Sequence, residues 1–131
     1  MTVGRTEAER FLRLAQRDQR AFETLNRQCK EEDFPNAAFH AQQSVEKAIK
    51  AVLSLHQVSF SRIHDLVELA GRARDTGLKL PLPDDTLYRL TPYAVEFRYN
   101  DETMPLIQPD VAQHAVQTFI QWATHHLTGN L

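Results

Sequence analysis

Apolar residues recur at three- and four-residue steps from the start of the chain, where Ala8, Phe11, Leu12, Ala15, Phe22, Leu25 and Cys29 fall on one stripe of a helix. Thr6 and Glu9 have the spacing at which a hydroxyl and a carboxylate satisfy each other's free backbone N–H groups, so the first helix is expected to begin there and run to about Cys29. The charged run at 30–33 ends it, and Asp33 or Phe34 followed by Pro35 opens a second helix. On that helix Ala37, Ala38, Ala41, Val45, Ala48, Ile49 and Val52 share a face, the clearest helical signal in the chain. A third helix fits 64–76 through Leu66, Leu69, Ala70 and Ala73, stopped by Gly77 as the left-handed residue after its end. A fourth pattern covers 84–99 through Leu87, Leu90, Ala94 and Phe97, kinked or restarted at Pro92 with Thr91 as cap. Pro109 suits the first residue of a fifth helix, whose core face is expected to carry Val111, Ala115, Phe119, Trp122 and His126. These elements predict an all-α, up-and-down antiparallel bundle of about five helices, in one domain over 1–131.

Composition narrows the function. Four glycines in 131 residues leave few tight turns for a sandwich or a run of hairpins. Fifteen basic against 17 acidic side chains give a net charge of -2, which argues against a protein that coats DNA by neutralising phosphates. Cys29 is the only cysteine, so an internal disulfide and a cysteine-rich zinc site are excluded and a reducing compartment fits. No stretch approaches the roughly 18 consecutive apolar residues of a membrane span, and the expected location is the cytoplasm.

Three strings carry more specific information: AAFHAQQSVEKAIKAVL from Ala37 to Leu53, HDLVEL from His64 to Leu69, and YAVEFRYN from Tyr93 to Asn100. Together they resemble the HEPN family of small all-helical proteins, in the branch encoded beside a minimal nucleotidyltransferase. The resemblance implies a homodimer that associates with such a nucleotidyltransferase, as in toxin–antitoxin-like pairs. In many members it also implies RNA cleavage, through an arginine followed after four to six residues by a histidine in a cleft shared with the dimer mate. Arg98 matches the arginine, but Tyr99-Asn100-Asp101-Glu102-Thr103-Met104-Pro105 follows with no histidine, and the next is His114 in the fifth helix. Metal-independent cleavage needs a group that exchanges protons near neutral pH, which histidine supplies and arginine does not.

The expected function is therefore a non-catalytic or degenerate binding partner of a minimal nucleotidyltransferase, holding a nucleotide or RNA end at Arg98, Tyr99, Asn100 and Glu46. The alternative is a ribonuclease toxin in which Asp101, Glu102 or His114 replaces the missing histidine. Neither reading calls for a cofactor, a metal, DNA or a membrane.

Arg98 falls one turn after Ala94, on the side where Leu87 points inward, and a guanidinium there wants a carboxylate or a phosphate. Glu46, at the edge of the second helix's apolar face, is the candidate partner; the pair is either a packing salt bridge or part of a phosphate site. Tyr93 and Tyr99 suit base stacking or the core. His40, His64-Asp65 and Asp110 loosely echo the ligand order of helical metal-dependent phosphohydrolases, yet Asp65 suits a cap on the third helix equally well. Arg10, Arg13, Arg17, Arg20 and Arg27 share a sector of the first helix, a solvated face or a docking surface, with Glu9–Arg13 and Glu23–Arg27 as expected pairs. Phe39, Phe60, Tyr93, Tyr99 and Trp122 exceed what one small core evidently needs, a further pointer to a dimer.

Overall fold

Alanine makes the second helix the axis of the molecule. In the computed structural model, which describes residues 2–28, 33–94 and 107–129 and leaves out the side chains of Thr2 and Val3, helix α2 spans Phe34–Leu55. Ala37, Ala38, Ala41, Ala48 and Ala51 are all fully buried on it, and so are Val45, Ile49 and Val52. Side chains this small let neighbouring backbones approach, and α1 (Thr2–Gln28), α3 (Leu66–Asp75) and α5 (Pro109–Thr128) pack around α2, as does the turn at Thr91–Ala94. Helix α4 (Asp84–Leu90) completes the bundle against α3 and α5. The main core joins Ala15 and Phe22 of α1 to the α2 face, to Leu66 and Leu69 of α3, to Leu87 and Leu90 of α4, and to Phe119 of α5. The described helices thus form the all-α bundle expected. None of them is long and apolar enough to cross a membrane.

Several local signals act as the sequence implies. Pro35 and Pro109 sit in the first turns of α2 and α5. Asp65 caps α3, its carboxylate accepting from the Val67 and Glu68 N–H groups at 2.9 and 3.3 Å. Gly77 takes φ +90° beyond the helix, and the Gly77 and Leu78 N–H groups close the last turn on the Arg74 and Ala73 carbonyls. Asp65→Ala is expected to cost roughly 0.5–2 kcal/mol, the ordinary value of an N-cap, read as a lower urea midpoint at unchanged slope.

Three expectations need correction. Helix α1 begins at Thr2, so Thr6 lies within it as an exposed residue and caps nothing. Tertiary contact extends the helix: a Cβ on Gly4 would come 2.8 Å from the Ser54 carbonyl oxygen, so glycine alone permits this approach to α2. Arg5 then donates to the Leu127 carbonyl at the end of α5, at 2.8 Å. Thr91 does not cap a new helix; its hydroxyl donates back to the Leu87 carbonyl at 2.9 Å and accepts from the Leu66 N–H at 3.3 Å. With no N–H on Pro92, the chain tightens into a 3-10 turn at Thr91–Ala94, and Phe97 lies outside the described residues. On α5 the buried face is Ala112, Ala115, Val116, Phe119, Ile120, Ala123 and Leu127, while Val111 is 40% exposed and Trp122 and His126 are half-buried. Ala115 and Phe119 face the core as expected, while Ala112, Ala123 and Leu127 are buried in place of their neighbours Val111, Trp122 and His126.

Four of the five aromatics singled out in the sequence make ring contacts within the chain. Tyr93 is buried edge-on to Phe34, Phe60 packs edge-on to Phe11, and Phe39 lies edge-on to His40. Trp122 lies against Phe119 and donates its ring N–H to the Lys79 carbonyl at 2.9 Å. Tyr99 lies outside the described residues.

Candidate functional site

The spacing Gln42, Glu46, Lys50 is four residues twice over, so all three side chains rise along one edge of α2. Glu46 is 3% exposed and has its carboxylate occupied on both oxygens. Oε1 accepts from the Gln42 amide at 2.9 Å; Oε2 accepts from the Lys50 ammonium at 2.8 Å and meets Nδ1 of His64 at 2.9 Å. Gln42 is itself fully buried, held by Gln43 at 2.7 Å and donating weakly to the His64 carbonyl. Lys50 is nearly as buried as Glu46, its ammonium 5.5 Å from the centre of the Phe60 ring. Only the imidazole of His64 reaches water, with 66% of its side chain exposed. It arrives from the turn between α2 and α3, where Ile63 is buried as an anchor and Asp65 caps the next helix.

A second node lies across the helix. Asp18 of α1 meets Nδ1 of His40 at 2.9 Å through one oxygen and accepts from the Lys47 ammonium at 2.7 Å through the other. Beside it, Ser44 donates to the Ala15 carbonyl at 2.9 Å. These bonds fix the register of α1 on α2. The FHAQQ–VEKA string thus supplies His40, Ser44 and Lys47 to one edge of α2 and Gln42 and Glu46 to the other. His40 and His64 answer to different carboxylates and do not converge. Among the described residues no cluster of histidine, cysteine and carboxylate groups is arranged to hold a metal ion.

Of the expected ligand residues, Arg98, Tyr99 and Asn100 lie outside the described residues, and with them any Glu46–Arg98 pair. Glu46 is buried, but the partners sequence reasoning missed are Lys50 and His64; the Glu-x-x-x-Lys spacing was the signal that could have found the first. Asp101 and Glu102 also lie outside, and His114 stands exposed on α5 near Thr118.

The arginine sector of α1 is exposed as expected. Its pairing differs: Glu9 meets Arg5 at 3.5 Å and Arg10 meets Glu7 at 3.2 Å, so neither Glu9–Arg13 nor Glu23–Arg27 forms. Arg13, Arg17, Arg20 and Arg27 make no ion pair among the described residues. A groove runs between the start of α3 and α4, with Asp65 and Val67 on one wall and Tyr88, Arg89 and Pro92 on the other. Tyr88 is 72% exposed there.

Where α2 and α5 end together, His126 lies edge-on to both Trp122 and His56. Desolvation, then repulsion from His56 and His125, hold it below the ordinary histidine value of 6.5. A histidine depressed in the folded state binds fewer protons there than when unfolded. Its effect on stability is absent at pH above 6.5, and stability is lost as pH falls through that value towards the folded one. The melting temperature is expected to fall between about pH 7.5 and pH 5.5, by a smaller margin in His126→Phe. An equal fall in both proteins would refute this.

A family model for the HEPN domain matches residues 6–123, which takes in most of α1, all of α2, α3 and α4, and most of α5. No curated protein matches the chain. No solved structure matches it. With the match spanning nearly the whole bundle, and both carboxylate nodes lying inside it, the chain belongs to the HEPN family.

Proposed function

We propose that this HEPN protein is a non-catalytic member of its family that forms a homodimer in the cytoplasm, binds a minimal nucleotidyltransferase in a toxin–antitoxin-like pair, and holds a nucleotide or RNA end near Arg98. The observation that carries the reading is the sequence after Arg98, where Tyr99 through Pro105 contains no histidine within a chain that belongs to the family. A guanidinium holds and neutralises a phosphate but keeps its own protons, so losing the histidine removes turnover before it removes binding. Partner docking is supported by α1, where Arg13, Arg17, Arg20 and Arg27 stand exposed without ion pairs among the described residues. The dimer and the choice of nucleotidyltransferase come from the resemblance of the Ala37–Leu53, His64–Leu69 and Tyr93–Asn100 strings to that branch.

Co-expression with the product of the neighbouring reading frame tests the pairing. A nucleotidyltransferase encoded there that co-purifies with this chain, and is released by charge reversal at Arg13 and Arg17, is the expected result. A neighbouring nucleotidyltransferase that elutes separately would contradict it, as would a neighbouring frame of another kind.

A further inference from the structure

From Arg10 to the end of α1 the exposed positions repeat at three- and four-residue steps, forming one ridge opposite the face that buries Ala8, Ala15 and Phe22. Apart from Thr24 and Gln28, every residue on it is an arginine: Arg10, Arg13, Arg17, Arg20 and Arg27, spread over about 25 Å at the helical rise. No carboxylate interrupts the ridge, because Asp18 is turned to His40 and Lys47 of α2 and Glu23 is half-buried. Arg10 meets Glu7 one turn earlier, and the other four have no partner among the described residues. Off the ridge the pattern reverses: four of the other five described arginines are engaged, Arg5 by the Leu127 carbonyl, Arg72 by the Ser59 carbonyl, Arg74 by Asp84 and Arg89 by Asp85. Like charges three and four residues apart repel, so the ridge weakens the helix that carries it and adds nothing to the core. A row of charges that works against the fold and is unused by it points to a ligand outside the chain.

The guanidinium fork matches a carboxylate or a phosphate. A track for single-stranded nucleic acid adds a groove and aromatic faces on which bases stack, whereas this ridge is a convex line with no aromatic side chain on it. The carboxylates of a protein are the better match. The five arginines leave ten basic against 17 acidic residues in the rest of the chain, so an acidic partner is drawn to α1 and repelled elsewhere, which selects one orientation. A second copy of this chain does not fit, because a two-fold interface centred on the ridge would set arginine against arginine. We propose that the α1 ridge docks an acidic protein face, a row of aspartates and glutamates about as long as the ridge itself, and that this face belongs to the nucleotidyltransferase. This rests on the partner-docking part of the proposed function and adds to it the chemistry of the partner's surface. It also leaves the homodimer to form through another face of the bundle.

The test follows association of the whole chain with the nucleotidyltransferase encoded in the neighbouring reading frame, beside a labelled oligouridylate as the nucleic-acid probe. The wild-type association rate is expected to fall steeply between about 50 and about 500 mM sodium chloride. Arg13→Gln, Arg17→Gln and Arg20→Gln together are expected to slow association about tenfold or more at the lower salt and to flatten its salt dependence. The same variant should melt no lower than the wild type, since glutamine is a good helix former and the like-charge contacts are gone. Arg17→Lys keeps the charge and places an amine on a helix that has no lysine, so a carbodiimide should couple that amine to an aspartate or glutamate of the partner. An unchanged association rate in the triple variant overturns the proposal, as does coupling of the new amine to a second copy of this chain. Loss of oligouridylate binding in the triple variant with partner binding kept makes the ridge a nucleic-acid surface and overturns it too. A nucleotidyltransferase that fails to bind the wild type overturns the pairing and the ridge together, whereas one that binds wild type and triple variant alike overturns the ridge alone.

Discussion

Glu46→Gln is expected to lower the unfolding free energy by roughly 3–5 kcal/mol. The carboxylate is 4% exposed and its Lys50 partner 10% exposed, so the substitution leaves an ammonium buried with no opposite charge. Gln can still accept a hydrogen bond from that ammonium but cannot balance it. The cost therefore reflects the stranded charge more than the worth of the intact pair, and the double substitution Glu46→Leu with Lys50→Met is expected to recover most of the loss. Chemical denaturation of the two proteins checks both statements. An unchanged midpoint for Glu46→Gln would mean that water reaches the pair. The exposed pairs Arg74–Asp84 and Arg89–Asp85 set the contrast, since breaking either should cost less than about 1 kcal/mol.

Phe22→Ala is expected to cost a similar amount, about 3–5 kcal/mol, for a different reason. Phe22 is fully buried and belongs to the same cluster as Ala15 and the alanine face of α2. Where one side of an interface is built from alanines, a phenyl ring from the other side fills the space, and its truncation leaves a cavity in the core. The substitution should lower the urea midpoint without changing its slope, because the same surface is still exposed on unfolding. Phe39, half-buried, should lose much less on truncation to alanine. Equal losses at the two positions would contradict the packing described here.

How far the sequence spoke depended on whether a signal was local. The α2 face was legible in full because seven small or branched residues repeat at helical spacing and every one is buried. Asp65 and Gly77 were legible because a cap and a left-handed residue act within one turn of where they stand. The start of α1 was not, since it depends on Gly4 meeting Ser54 across the bundle. The end of α2 is closed by Gln57 at φ +59°, with Val58 bonding back to the Leu53 carbonyl, where glycine would ordinarily signal the stop. In the site, Glu46 could be placed at the edge of the α2 apolar face and Lys50 sat one turn away in plain view. His64 and the Asp18–His40–Lys47 node required the third dimension, because their partners lie 18 to 29 positions apart in the chain.

The proposed function turns on one property, that the chain holds RNA without cutting it. The direct measurement is incubation of the purified chain with labelled RNA in the presence of EDTA, beside Arg98→Ala, with binding followed in parallel. The expected result is intact RNA from both proteins and weaker binding by the variant. Sustained cleavage that survives EDTA and disappears in Arg98→Ala would contradict the account and make the protein a ribonuclease with a substituted acid or base.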